Sequence, residues 1–135
     1  LAQEASKMII GLRIVLALLG VLFLFIGAQF LIDPVTMGGD FGLQAKNNAG
    51  LASLRGDMTS FFWVSGGAIL LGVWKKRGEL FYITASLMAI VFRARCRSLI
   101  LDGSYDDWLL PMVVETVTVV LCLRGARMMR GLAGA

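Results

Sequence analysis

The chain has 135 residues, 58% of them hydrophobic, with a mean hydropathy of +0.79 and a formal net charge of +4. A soluble domain is nearer half apolar, so this composition excludes an ordinary water-soluble fold and calls for spanning helices of about 20 apolar residues each. There is no histidine, which argues against a metalloenzyme or a hydrolytic triad, and the cations cluster at the ends of apolar stretches, which reads as membrane orientation rather than nucleic-acid binding.

The first predicted helix runs from about Met8 to Ile32, with Arg13 near one end and Gln29 near the other. Its apolar stretch is longer than a signal-peptide core and no small-x-small cleavage site follows it, so it reads as a span. It stops at Asp33-Pro34, because proline disfavours helix in the residue before it. Residues 33–56, rich in Gly, Asn and charge, read as the main loop outside the membrane, with a short surface helix around Ala49 to Leu54. A second helix is predicted from Asp57 to Trp74, opening on an acidic residue and closing on Lys75-Lys76-Arg77-Gly78.

The third segment, from Glu79, is apolar only to Phe92, too short to cross on its own. Continued to Leu101 it is about 30 Å long and crosses, which puts Arg93 about two thirds of the way over. The fourth segment, Trp108 to Leu123, has an interfacial Trp, Pro111 in its first turn, Glu115 inside it and a basic tail of Arg124, Arg127 and Arg130. Four crossings gather Lys7, Arg13, Lys75 to Arg77 and Arg124 to Arg130 on one side, so both termini are expected in the cytoplasm, with Arg93, Arg95 and Arg97 as the exception on the other side. The expected fold is all-α: one transmembrane domain over residues 1–135, a four-helix bundle with helices at about 8–32, 57–74, 79–101 and 108–123. Cys96 and Cys122 fall near opposite ends of their helices and are expected to be free thiols.

This topology brings ionisable residues in or near the spans to one level near the outer face: Arg55, Asp57, Arg95, Asp102 and Glu115. Arg95, Ser98 and Asp102 share one helical face, whereas Arg93 and Arg97 point elsewhere and snorkel outward. Glu115 should face the bundle interior and pair with Arg95 or Arg55. Three readings stand. The cluster locks helix packing. Alternatively Arg55, Asp57, Arg95, Ser98, Asp102 and Glu115 hold the polar head of a lipid, isoprenoid or quinone-like ligand beside Phe61, Phe62 and Trp63. In the third, Glu115 or Asp57 exchanges a proton in a small membrane enzyme acting on a lipid or isoprenoid. Gly66, Gly67 and Gly72, with Ser65 and Ala68, offer a smooth face for close helix contact, as do Gly11, Gly20 and Gly27 on the first helix, though no unambiguous GxxxG is present. Phe23, Phe25 and Phe30 fit lipid contact as well as a cofactor, and the methionines read as gap-filling side chains.

Several segments together, Phe41-Gly42-Leu43, Gly50-Leu51-Ala52-Ser53-Leu54-Arg55-Gly56-Asp57, Arg95-x-x-Ser98-Leu99-x-x-Asp102-Gly103, Pro111 and Glu115, resemble the small bacterial four-helix membrane proteins grouped as a domain of unknown function. Those are similar in architecture to the DoxX-like proteins. The resemblance covers about Ile10 to Leu123; where the family pattern has glycine before the motif arginine, this chain has Ala94. It implies a multi-pass protein of the bacterial inner membrane, and DoxX-like relatives suggest an accessory role in redox complexes. The expectation is therefore a non-catalytic protein without metal or cofactor. Its expected partners are membrane lipid, a membrane complex or a second copy of itself.

Overall fold

The structure, a computed structural model, describes residues 1–133; Gly134 and Ala135 lie outside the described residues. It is all-helical, with no strand among the described residues: α1 (Ala2–Ile32), α2 (Pro34–Asp40), α3 (Asn48–Lys75), a 3-10 turn (Gly78–Leu80), α4 (Phe81–Leu101) and α5 (Leu109–Ala133). The helix α1 begins six residues before Met8, because Ala2, Gln3, Glu4, Ala5 and Lys7 are all strong helix formers. It ends at the expected place. Asp33 then turns the chain into α2, its carboxylate accepting the Thr36 N–H at 3.1 Å with Pro34 as the first helical residue.

The expected loop over 33–56 is mostly helix. Only residues 41–47 lie between α2 and α3. The helix α3 starts at Asn48, where the Asn47 side chain accepts the Gly50 N–H at 2.9 Å, so Asp57 lies more than two turns inside it rather than at its N-terminus. The local reason is that Asn47 is a strong N-cap and the run Ala49, Leu51, Ala52 and Leu54 propagates the helix through Gly50 and Gly56. The surface helix expected around Ala49 to Leu54 is thus the first part of α3. At the other end Lys76, with φ of 53°, occupies the left-handed position, and Gly72 O accepts from both Lys76 N and Arg77 N. Gly78 serves a different purpose: a Cβ there would lie 2.5 Å from the Ala126 carbonyl, so glycine lets this turn sit against α5. The last helix continues past the expected Leu123 to Ala133, with Arg130 in its last turn complementing the helix C-terminus.

The helices α1 and α3 run antiparallel in a continuous register. Along it Arg13 reaches Val73 O, Gly20 faces Gly66, Trp63 Nε1 donates to Leu24 O at 3.0 Å and Thr59 donates to Gly27 O at 3.1 Å. A Cβ on Gly66 would lie 2.6 Å from Gly20 O, so the two backbones touch there and glycine is required on both sides. Gly27 likewise makes room for the Trp63 indole, whereas Gly11 and Gly67 have nothing within 4 Å of an added Cβ. The helices α4 and α5 form a second antiparallel pair, with Glu115 on Arg95 and the Arg130 guanidinium 5.2 Å from the Tyr82 ring. The two pairs meet through Thr84, which donates to Ser65 O at 2.7 Å, and through Phe81 and Leu16, which fill the space left by Gly72 and Gly125.

The core holds Leu16, Phe23, Phe30, Phe62, Ile69, Phe81, Met88, Cys122 and Met129. Phe30 stacks on Phe62, with centroids 6.0 Å apart and Phe41 edge-on to both. Of the three phenylalanines expected to meet lipid or a cofactor, Phe23 and Phe30 are therefore core and Phe25 is exposed. Among the described residues, two helices are long and apolar enough to cross a membrane: α1, with mean hydropathy 2.8 but only 17% of that segment buried, and α5, with 1.7 and 33%. A helix apolar all round is normally found inside a large core. Here Ile14, Leu18, Val21 and Phe25 of α1 and Leu110, Val113, Val117 and Val120 of α5 face outward instead.

Candidate functional site

Two ends of the molecule are distinguished by their connections. The termini end carries the start of α1, the 76–80 turn and the end of α5; the loop end carries α2, residues 41–47 and residues 102–108. At the loop end, Arg95 on α4 donates through Nε to Glu115 Oε1 on α5 at 2.6 Å, and through Nη1 to the Tyr105 hydroxyl at 3.3 Å. Glu115 is 5% exposed, and its Oε2 is buried with no hydrogen-bond partner. The Arg95 side chain keeps 31% of its surface, so the pair is sealed on the carboxylate side and open on the guanidinium side. Such a pair stabilises only through close geometry, since desolvating both ions offsets most of their attraction. Its second carboxylate oxygen, left without a donor, adds to that cost.

The other residues expected in this cluster are placed elsewhere. Arg55 donates through Nε to Leu31 O at 3.0 Å, satisfying one of the last carbonyls of α1, which have no partner within that helix. Of the two arginines expected for Glu115, the geometry therefore selects Arg95. Asp57 is exposed, and no hydrogen bond or ion pair of its side chain is found. Ser98 and Asp102 are also exposed; they are joined by their backbones, Asp102 N donating to Ser98 O at 2.7 Å. Their shared helical face with Arg95 is real, but that face opens outward beyond Glu115. Arg93 and Arg97 are exposed, as their spacing required. The aromatic residues expected beside the cluster belong to the α1–α3 pair: Phe62 stacks in the core and Trp63 bonds to Leu24 O. Tyr105 is the member that spacing did not reveal, since it reaches Arg95 from the irregular 102–108 segment, where no periodicity gives direction.

The remaining buried hydroxyls serve packing. Thr59 and Thr84 donate across helix interfaces and Thr118 donates back to Val114 O, while Ser65 Oγ has no partner. Both cysteines are free, and no group of three or more His, Cys, Asp or Glu that could hold a metal ion occurs among the described residues. Two cavities among the described residues are lined by residues other than Arg95 and Glu115. One, of about 460 Å3, lies at the loop end between Val35, Gly39, Leu43, Lys46, Asn47, Leu51 and Leu54. The other, of about 240 Å3, is a cleft between α1 and α3 at the termini end. Comparison of the chain with family models, curated proteins and solved structures returns no match.

Proposed function

We propose that this chain is a multi-pass protein of the bacterial inner membrane, a four-helix bundle crossing four times with both termini in the cytoplasm. In this reading it is a non-catalytic accessory subunit of a membrane complex. The apolar surface supports the membrane placement. Beyond α1 and α5, the helix α3 exposes Trp63, Val64, Leu71 and Trp74, and α4 exposes Ile83 and Ile90. Because α1 contributes Leu16, Phe23 and Phe30 to the core, it is part of the fold rather than a detachable leader. The cation bias supports the orientation: Lys7, Arg13, Lys75, Lys76, Arg77, Arg124, Arg127 and Arg130 lie at the termini end, against Lys46, Arg55, Arg93, Arg95 and Arg97 in the half towards the loop end. At about 1.5 Å per residue, Arg95 stands about 20 Å from Phe81 towards the loop end, about two thirds of the way across a hydrocarbon layer of about 30 Å, in its outer half. The resemblance to DoxX-like architecture belongs to the same proposal, at the level of fold only.

The observation that carries the non-catalytic reading is the sealing of Glu115. A general acid or base must reach its substrate, yet this carboxylate is 5% exposed and held by Arg95. Asp57, the other proton-exchange candidate, stands exposed, and among the described residues no hydrogen bond or ion pair holds its side chain. The Arg95–Glu115 pair then acts as a clamp between α4 and α5, and the protein works through its outward surfaces. The test is native mass spectrometry of the protein gently extracted from its own membrane. A stoichiometric polypeptide partner is expected, retained in Glu115→Gln; a bare chain in every preparation would end the accessory reading.

One observation favours a second reading. The cavity of about 460 Å3 has Val35, Leu43, Leu51 and Leu54 for an apolar tail and Lys46 at its edge, which suits a lipid or isoprenoid-like ligand at the outer leaflet. The same spectra test it: a bound lipid lost on Leu51→Trp favours it, and retention of that lipid in the variant counts against it.

A further inference from the structure

Arg13 is a cation within a helix–helix cleft that no acid answers among the described residues. It sits on α1 at the termini end, half-buried against α3, and its Nη2 donates to Val73 O at a long 3.3 Å. Val73 lies in the last turn of α3, so this bond satisfies a carbonyl with no partner inside the helix. The guanidinium has five N–H donors. Its Nε is buried without any partner, and among the described residues no carboxylate comes within salt-bridge distance of it. The nearest anionic side chain in the adjoining turn, Glu79, is held by Arg77 at 2.6 Å. A half-buried guanidinium whose Nε is buried without an acceptor leaves room for an anion to complete it.

The cleft around Arg13 describes the missing group. It has a volume of about 240 Å3, and its other walls are Ile10, Ile14, Ala17 and Val73, all apolar. Ile10 and Ile14 are 53% and 55% exposed, so the cleft continues into the outward apolar face of α1. Lys75 and Lys76 stand exposed at the end of α3, with Trp74 beside them. An anion with an apolar tail matches this arrangement, and a free inorganic anion would leave the apolar walls unused. We infer that this cleft binds an anionic phospholipid of the cytoplasmic leaflet, its phosphate on the Arg13 guanidinium and an acyl chain along Ile10, Ile14 and Ala17. The inference rests on the four-span orientation proposed above, and the site is separate from Arg95 and Glu115. Basic pockets between spanning helices on the cytoplasmic side recognise headgroups in this way, each cation adding to the preference for anionic over zwitterionic lipid.

The experiment is native mass spectrometry of the full chain in detergent, titrated with phosphatidylglycerol, phosphatidylcholine or inorganic phosphate, for wild type, Arg13→Gln, Arg13→Lys and Arg124→Gln. Wild type is expected to retain one phosphatidylglycerol per chain, with about a five- to tenfold preference over phosphatidylcholine. Arg13→Gln loses that preference and Arg124→Gln keeps it. Arg13→Lys, which keeps the cation and loses the fork, falls between wild type and Arg13→Gln; helicity measured on each variant confirms that folded protein is being compared. Equal retention of phosphatidylglycerol by wild type and Arg13→Gln overturns the site. Displacement of the lipid by inorganic phosphate at equal concentration overturns the lipid as its occupant. Failure of the four-span orientation shows itself separately, as labelling of a Gln3→Cys variant from outside intact cells, whatever residue stands at position 13.

Discussion

Replacing Gly66 by alanine places a methyl group 2.6 Å from the Gly20 carbonyl oxygen and 3.1 Å from both Leu24 N and Phe23 Cβ. Two of these three atoms are backbone, so no side chain can swing away and α1 must move off α3. Overpacking of this kind costs about 1–3 kcal/mol. Alanine also gains about 0.5–1 kcal/mol over glycine in a helix interior, which blurs the single measurement. Gly67→Ala removes the ambiguity: it is the next residue of the same helix, gains the same propensity, and its added Cβ meets nothing within 4 Å. The difference between the two variants is therefore the packing cost alone, about 1–3 kcal/mol. Thermal unfolding in one detergent, followed by helicity, should place Gly66→Ala several degrees below Gly67→Ala. Coincident melting, or Gly66→Ala melting higher, would refute the close crossing of α1 and α3.

Four further outcomes follow from named contacts. Glu115→Ala leaves Arg95 half-buried without its anion and should cost about 2 kcal/mol, less than a fully buried pair because the guanidinium is partly solvated; a double-mutant cycle with Arg95→Ala that shows no coupling would remove the clamp from the account. Thr84→Val deletes the bond to Ser65 O and should cost about 0.6 kcal/mol, the usual worth of such a bond between membrane helices, read by reversible unfolding; a stabilised variant contradicts it. Lys76→Gly should stabilise by about 1 kcal/mol, because Lys76 stands at φ of 53° where glycine carries no steric penalty; the same unfolding assay checks it, and a loss of stability would count against that turn. The Asp33 carboxyl is held below its ordinary 3.8, first by the hydrogen bond from Thr36. A carboxyl depressed on folding stabilises the ionised form, so its contribution is full above 3.8 and is lost as pH falls through the lower folded value. A carboxyl titration by NMR should find Asp33 below 3.8 and Asp33→Asn without that pH dependence; a value at or above 3.8 rejects the α2 cap.

Hydrophobic runs and breakers made the long helices legible in the sequence, and those cues act locally. Asp33-Pro34 ends α1 where expected, and the basic cluster after Trp74 ends α3 within a residue of its predicted end. The start of α3 was not legible, because Gly50 and Gly56 look like breakers in a polar stretch while the deciding signal is one side-chain bond from Asn47. Spacing showed that Arg95, Ser98 and Asp102 share a face, but periodicity reports direction and says nothing of what stands opposite. Only the structure shows Glu115 opposite Arg95 alone, with Asp57, Ser98 and Asp102 left at the surface. Arg55 was misplaced for a similar reason: its partner is a backbone carbonyl at the end of α1, and carbonyl acceptors carry no residue signature. The glycine face of α3 was readable as a surface for close packing, yet Gly66 lies against α1 while Gly67 beside it meets nothing, a distinction set by helix rotation.

The central claim is a four-span protein with both termini inside, and labelling of single cysteines tests it most directly. Gln3→Cys at the start of α1 and Asp106→Cys between α4 and α5 are each placed in a Cys96→Ser background, Cys122 being fully buried. Intact cells are then treated with a membrane-impermeant maleimide. The account predicts that Asp106→Cys labels in intact cells and that Gln3→Cys labels only after permeabilisation. Labelling of both positions in intact cells, or of neither until lysis, would contradict it.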